Sequence, residues 1–195
     1  MTIHPQYPDS DRRRLREHAR ILQRHERRTD HVVQLTGAAS HTFSFLNGDS
    51  ERIYTLELYG RLTSAAADRV IRLLPNGDAT AANYRHLLHR AYDDAGVKAH
   101  DVVDFMPMGG LVVGSNGWAE SSDVFVTARV YAATGRSRAS ISTHLLSNFV
   151  TPDRALRSEN AAYWTDTTTV ITSLVLDFQN ADTTFTGTAA LHVGG

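Results

Sequence analysis

The chain is 195 residues long, 42% hydrophobic, with a formal net charge of −1, an ordinary soluble composition that supports one sizeable core and an appendage. Cysteine is absent, which excludes a disulfide framework, a thiol nucleophile and a thiolate metal site. Apolar runs are only a few residues long and Met1-Thr2-Ile3-His4-Pro5 holds no hydrophobic segment, so neither a membrane span nor a signal peptide is expected.

Charge is unevenly placed. Eight arginines stand against four acids between Asp9 and Arg28, which leaves 12 basic and 17 acidic residues elsewhere: a basic arm on an acidic body. After an extended lead with Pro5 and Pro8, Asp9 or Ser10 can cap a helix to about Arg28, with Leu15, Ala19 and Leu22 at helical spacing. So narrow an apolar stripe needs a partner surface to hold a helix in water. The spacing therefore predicts an N-terminal helical arm, residues 1–30, that anchors or oligomerises the protein through Arg12, Arg13, Arg14, Leu15, Arg16, Ala19, Leu22, Arg24, Arg27 and Arg28. A solvated helix lying on its own domain is the plainer alternative. Phosphate contact is a weaker one: no aromatics interleave the arginines, so nucleic acid is not an expected partner.

From Asp30 onward the period becomes that of strands. Val33–Leu35 and His41–Leu46 read as strands, and Asn47-Gly48-Asp49-Ser50 as a turn relying on positive φ. In the next strand Ile53, Thr55, Glu57 and Tyr59 alternate with Tyr54, Leu56, Leu58 and Gly60; a bend at Thr63–Ala67 leads to a second strand, Arg69–Leu74, closed by Pro75-Asn76-Gly77-Asp78. These two strands read as a central pair. Tyr84, Leu87, Leu88, Ala91 and Tyr92 recur at three and four residues, predicting one covering helix over 79–95 that Gly96 ends. A strand is expected at His100–Phe105, a loop at Met106–Gly110, a turn at Gly114–Gly117, and strands at Asp123–Tyr131 and Ser137–Phe149. Pro152 breaks the chain, Ala155–Thr165 carries Tyr163 and Trp164, and Thr169–Phe178 and Phe185–Val193 close it. Many short strands with turns between them predict a mainly β domain over residues 31–195, an antiparallel jelly-roll β-sandwich with one short covering helix.

Candidate chemistry is sparse. His86 and His89 have three-residue spacing and no carboxylate placed as in a zinc helix, so no metal is expected. Asn47-Gly48-Asp49 and Asn76-Gly77-Asp78 offer oxygens to calcium, but without alternating carboxylates a plain turn is the simpler reading. Asp93, Asp94, Glu57, Glu120 and Asp123 are the carboxylates from which a glycosidase pair would be drawn. Trp118, in an exposed-looking turn, and Trp164 are candidate glycan contacts through ring stacking. Neither a nucleophile elbow nor a phosphate-cradling glycine loop is present, and no cofactor is implied.

Several segments in order resemble a pattern of tailed-bacteriophage structural proteins: Phe43-Ser44-Phe45-Leu46, Leu58-Tyr59-Gly60, Leu73-Leu74-Pro75-Asn76-Gly77-Asp78 followed by Asn83-Tyr84, Ile171-Thr172-Ser173-Leu174, and Phe185-Thr186-Gly187 with Leu191. The chain departs from that pattern at Leu191-His192-Val193, where Leu-Tyr-Gly is usual. The resemblance implies a non-enzymatic, lectin-like jelly roll displayed on the virion as a head decoration or tail-associated protein. Its implied partners are capsid or tail proteins and two further copies of itself in a homotrimer. A carbohydrate- or receptor-binding module of a tail fibre and a glycan-degrading enzyme are the alternatives.

Overall fold

In the computed structural model of the protein, the described residues are 31–63, 69–92, 96–103, 111–113, 121–148, 155–179 and 183–194. The basic arm, Trp118, the carboxylates Asp93, Asp94 and Glu120, and the bend, loop and turn expected at 64–67, 106–110 and 114–117 lie outside them.

Among the described residues there are twelve strands: β1 (His31–Ala38), β2 (Ser40–Ser44), β3 (Ile53–Thr63), β4 (Arg69–Pro75), β5 (Tyr84–Tyr92), β6 (Gly96–Val103), β7 (Leu111–Val113), β8 (Ser121–Tyr131), β9 (Arg138–Asn148), β10 (Ala155–Trp164), β11 (Ser173–Gln179) and β12 (Thr184–Gly194). An eight-stranded sheet runs β1-β12-β3-β8-β9-β10-β5-β6 and a four-stranded sheet β2-β11-β4-β7. Every pairing is antiparallel. The pairs β1·β12, β2·β11, β3·β8 and β4·β7 are nested, first strand with last and so inward, and they alternate between the two sheets. The remaining four strands extend the larger sheet beyond β8.

The period-2 pattern decides what is buried. Tyr54, Leu56, Leu58 and Leu62 of β3 and Val124, Val126, Ala128 and Val130 of β8 turn inward with Phe185, Ala189 and Leu191 of β12. They share one core with Phe43, Ile71, Leu73, Leu174, Leu176 and Phe178 of the smaller sheet. Phe178 and Phe185 stack across the sheets at 5.1 Å and 12°. Each fully buried side chain of this kind contributes about 1.5–3 kcal/mol, so the shared core dominates the stability.

Two points of close approach fix the register. Gly60 of β3 pairs with Gly187 of β12, and a Cβ at Gly60 would lie 2.3 Å from the Thr186 carbonyl oxygen. The Phe185 ring lies over both glycines, in the space their missing side chains leave. At the second point Asn76 (φ 51) and Gly77 (φ 70) form the hairpin-type turn expected of Asn-Gly. The Asn76 side chain donates to the Val170 carbonyl at 2.9 Å and accepts from the Thr172 and Ser173 amides at 2.8 and 3.2 Å. The segments Leu58-Tyr59-Gly60 and Phe185-Thr186-Gly187 meet at the first point, and Asn76-Gly77 and Ile171–Ser173 at the second. Both serve packing.

Three expectations are corrected. Residues 84–92 are a strand, not a covering helix: β5 pairs residue by residue with β10 from Tyr84↔Trp164 to Tyr92↔Leu156. A helix would have set Tyr84 and Leu87 on one face, whereas Tyr84 is fully buried and Leu87 is exposed; sheet hydrogen bonding on both sides overrides a weak helical period. Strands β3 and β4 are not a pair, because the chain crosses from the larger to the smaller sheet between them. Residues 48–51 form one helical turn, α1 (Gly48–Glu51), capped by Asn47, whose side-chain oxygen accepts from the Ser50 amide at 3.3 Å. The positive φ values fall outside that turn, at Phe45 (63°) and Arg52 (61°).

Candidate functional site

Odd-numbered residues of β3, β8 and β9 point away from the core, and the register aligns them into rows. Leu145, Phe125 and Tyr59 stand side by side across β9, β8 and β3, and Thr188 and Gln34 continue the row onto β12 and β1. The Tyr59 and Phe125 rings lie 4.6 Å apart, yet each is about half exposed. Val32 (63% exposed) sits one row along, and Ile141 (58% exposed) two rows along, on the same face. Glu57, Tyr59, Phe125, Thr127, Thr188 and Ala190 border a shallow hollow of about 490 Å³. Single exposed apolar residues are ordinary, but Tyr59, Phe125 and Leu145 side by side make this face the candidate interaction surface.

Charges on this face are largely paired within it. Arg61 bonds Asp123 at 3.3 Å, Arg157 bonds Glu159 at 2.6 Å, and His192 lies 3.6 Å from Glu57. Exposed pairs of this kind contribute little stability.

Opposite Arg129 and Thr143 in the alternation, the inner side of β9 and β10 is polar although buried. His144 and Ser142 share a hydrogen bond of 2.8 Å, and Asn160 reaches Ser142 at 3.4 Å. A serine bonded to histidine has the elements of a nucleophile and its base, but both are at most 1% exposed, so the group satisfies itself inside the fold rather than meeting a substrate. Fully buried Arg138 donates to the Asp166 and Thr169 carbonyls, lies 3.6 Å from the Asp166 carboxylate and stacks 5.2 Å from the Trp164 ring. Hydrogen bonds from Thr169 and then Thr168 hold the Asp166 carboxyl well below the usual carboxylate range.

Trp164 is corrected as a glycan contact. Its ring is buried, and its indole donates to Asp78 Oδ2 at 2.8 Å, leaving no face for a sugar. Asp78 also accepts from the Asn83 amide and from the Thr80 N–H. Partial burial works to raise this carboxyl, but the bonds from Asn83, Thr80 and Trp164 outweigh it and hold it low. The oxygens of the Asn76-Gly77-Asp78 turn are thus committed to closing the fold. His86 and His89 both fall within strand β5. Among the carboxylates considered as a glycosidase pair, Glu57 and Asp123 are described: Glu57 is opposite Thr127, four residues from Asp123 along β8, or roughly 13 Å. That is a spacing of Cα positions, wide for two carboxyls that must flank one glycosidic bond, and their nearest charged groups are His192 and Arg61 respectively.

No helix among the described residues is long and apolar enough to cross a membrane. No family model, no curated protein and no solved structure matches this chain. The outer apolar rows escaped the sequence because Tyr59, Phe125 and Leu145 are 66 and 20 residues apart in turn; their outward phase on each strand is readable, but only the register makes them neighbours.

Proposed function

We propose that the protein is a non-enzymatic structural component of a tailed-phage virion, a jelly roll displayed on the capsid or tail, held there by its basic segment 1–30 and self-associating as a homotrimer. The observation that carries this reading is the nested order of the eight core strands. Pairing first with last, second with seventh, third with sixth and fourth with fifth, alternately in two sheets, supports the jelly-roll reading, an architecture used in viral capsid and lectin domains. That step is an analogy of fold, to which the phage-like order of segments adds the biological setting.

The self-association surface in this reading is the outer face around Tyr59, Phe125 and Leu145. Its function is physical: subunits that bind only the assembled shell or tail stabilise it by mass action. Deletion of residues 1–30 tests the anchoring step. The expected result is a folded β-domain that no longer associates with particles; retained association would refute the assigned role of that segment. Cryo-imaging of the particle then decides between positions of capsid symmetry, the tail, and neither.

A further inference from the structure

At one end of the larger sheet, the α1 turn and the β8–β9 connection border a cleft of about 590 Å³, lined by Asp49, Arg52, Ile53, Tyr131, Ala133, Thr134, Arg136 and Ser137. Its walls are fixed by local bonds. The Ala132 amide donates to the Arg52 carbonyl at 2.8 Å, the Thr134 amide to Asp49 Oδ1 at 2.9 Å, and the Gly48 amide to the Ile171 carbonyl at 3.0 Å. The Asp49 carboxyl is held low, first by the Thr134 backbone and then by its side chain, so this acid is committed to the loop. Two guanidiniums remain. Among the described residues, neither Arg52 nor Arg136 has an ion pair or a side-chain hydrogen bond.

Arg52 is placed here at a conformational cost. Its φ of 61° lies in the left-handed region, which is unfavourable for a long side chain by roughly 1 kcal/mol or more. Glycine would occupy that position without the cost, and an arginine there adds no partner to the fold. Beside the two cations stand the half-exposed Tyr131 ring, the apolar Ile53 and Ala133, and the exposed Ser137 hydroxyl. Two fork-shaped cations next to a flat ring and a hydroxyl suit a ligand that carries a carboxylate on a ring with one apolar face. The cleft's size is that of a small-molecule site.

We propose that this cleft binds the carboxylate of an acidic sugar, a hexuronate or its oligosaccharide, with Arg52 and Arg136 taking the carboxylate and Tyr131 the ring. The inference is independent of the virion reading: sugar binding and particle association are measured separately, and either can fail while the other stands.

The test is titration calorimetry of the full chain with glucuronate, glucose and inorganic phosphate. Glucuronate is expected to bind and glucose to bind at least about tenfold more weakly, with glucuronate affinity falling as salt is raised. Arg136→Gln, in an exposed turn beside Gly135, is expected to weaken glucuronate about tenfold or more with an unchanged circular dichroism spectrum, and Arg52→Gln to do the same. Tyr131→Ala is expected to weaken glucuronate and leave phosphate unaffected. No glucuronate binding up to about 10 mM overturns the proposal, as does binding that Arg136→Gln leaves intact. Phosphate bound as tightly as glucuronate, with no effect of Tyr131→Ala, overturns the sugar assignment.

Discussion

The inner side of the eight-stranded sheet has two unlike halves. On β12, β3 and β8 it is aliphatic and aromatic and lies against the smaller sheet; on β9 and β10 it presents Arg138, Ser140, Ser142, His144 and Asn160, all buried. The first half is stabilised by removing apolar surface from water, which asks only for volume and alternation. The second rests on specific bonds, those of Arg138 to the Asp166 and Thr169 carbonyls and of His144 to Ser142, although Arg138 Nε is buried without a partner, and losing one bond of such a network costs more than losing apolar area. One half therefore tolerates repacking, and the other depends on specific atoms.

The largest expected effect is at Arg138. Arg138→Ala leaves the Asp166 and Thr169 carbonyls without their donor and removes the cation from the Trp164 ring, at about 3–5 kcal/mol in urea unfolding. Leu56→Met, a volume-conserving change in the aliphatic half, should cost below about 1.5 kcal/mol. Equal losses would erase the distinction between the halves.

Non-additivity sharpens it. Ser142→Ala and His144→Leu should each cost about 1–3 kcal/mol, and the double variant less than their sum, because neither member of the 2.8 Å bond is left behind, the remaining cost being that of buried Asn160, which loses its contacts to both. Strict additivity in a double-mutant cycle would mean that the 2.8 Å bond carries no coupling.

Acid should act on the polar half first. Asp166 and Asp78, which hold the loops around Arg138 and Trp164, have carboxyls below their ordinary value. A folded-state pKa below the unfolded one adds stability that is present above about pH 4 and is lost as pH falls through the folded value. The melting temperature should thus decline between about pH 4 and about pH 2, and Asp166→Asn should flatten the decline by lowering the plateau above it. An unaltered slope in that variant would remove Asp166 from the account.

The smallest effect on stability belongs to the outer face. Tyr59→Ser with Phe125→Ser should shift unfolding by about 1 kcal/mol or less, since both rings are half exposed, while lowering the mass measured by light scattering from that of the proposed trimer to that of a monomer. An unchanged mass would detach this face from self-association.

Residue by residue, the sequence determined the alternation of β3 and β8, the Asn76-Gly77 turn and the mainly β class, because strand period and positive-φ chemistry are local properties. It misassigned residues 84–92, where tyrosine and leucine satisfy a helical period as well as a sheet, and the pairing of β3 with β4, since adjacency in the chain does not choose a partner strand. Long-range register decided the rest. Only the fold brings Gly60 under Phe185, takes Trp164 out of solvent to reach Asp78, sets Tyr59 beside Phe125 and Leu145, and puts Arg52 and Arg136 on one cleft, because contacts between residues tens of positions apart are fixed by which sheet each strand joins and how the two sheets pack.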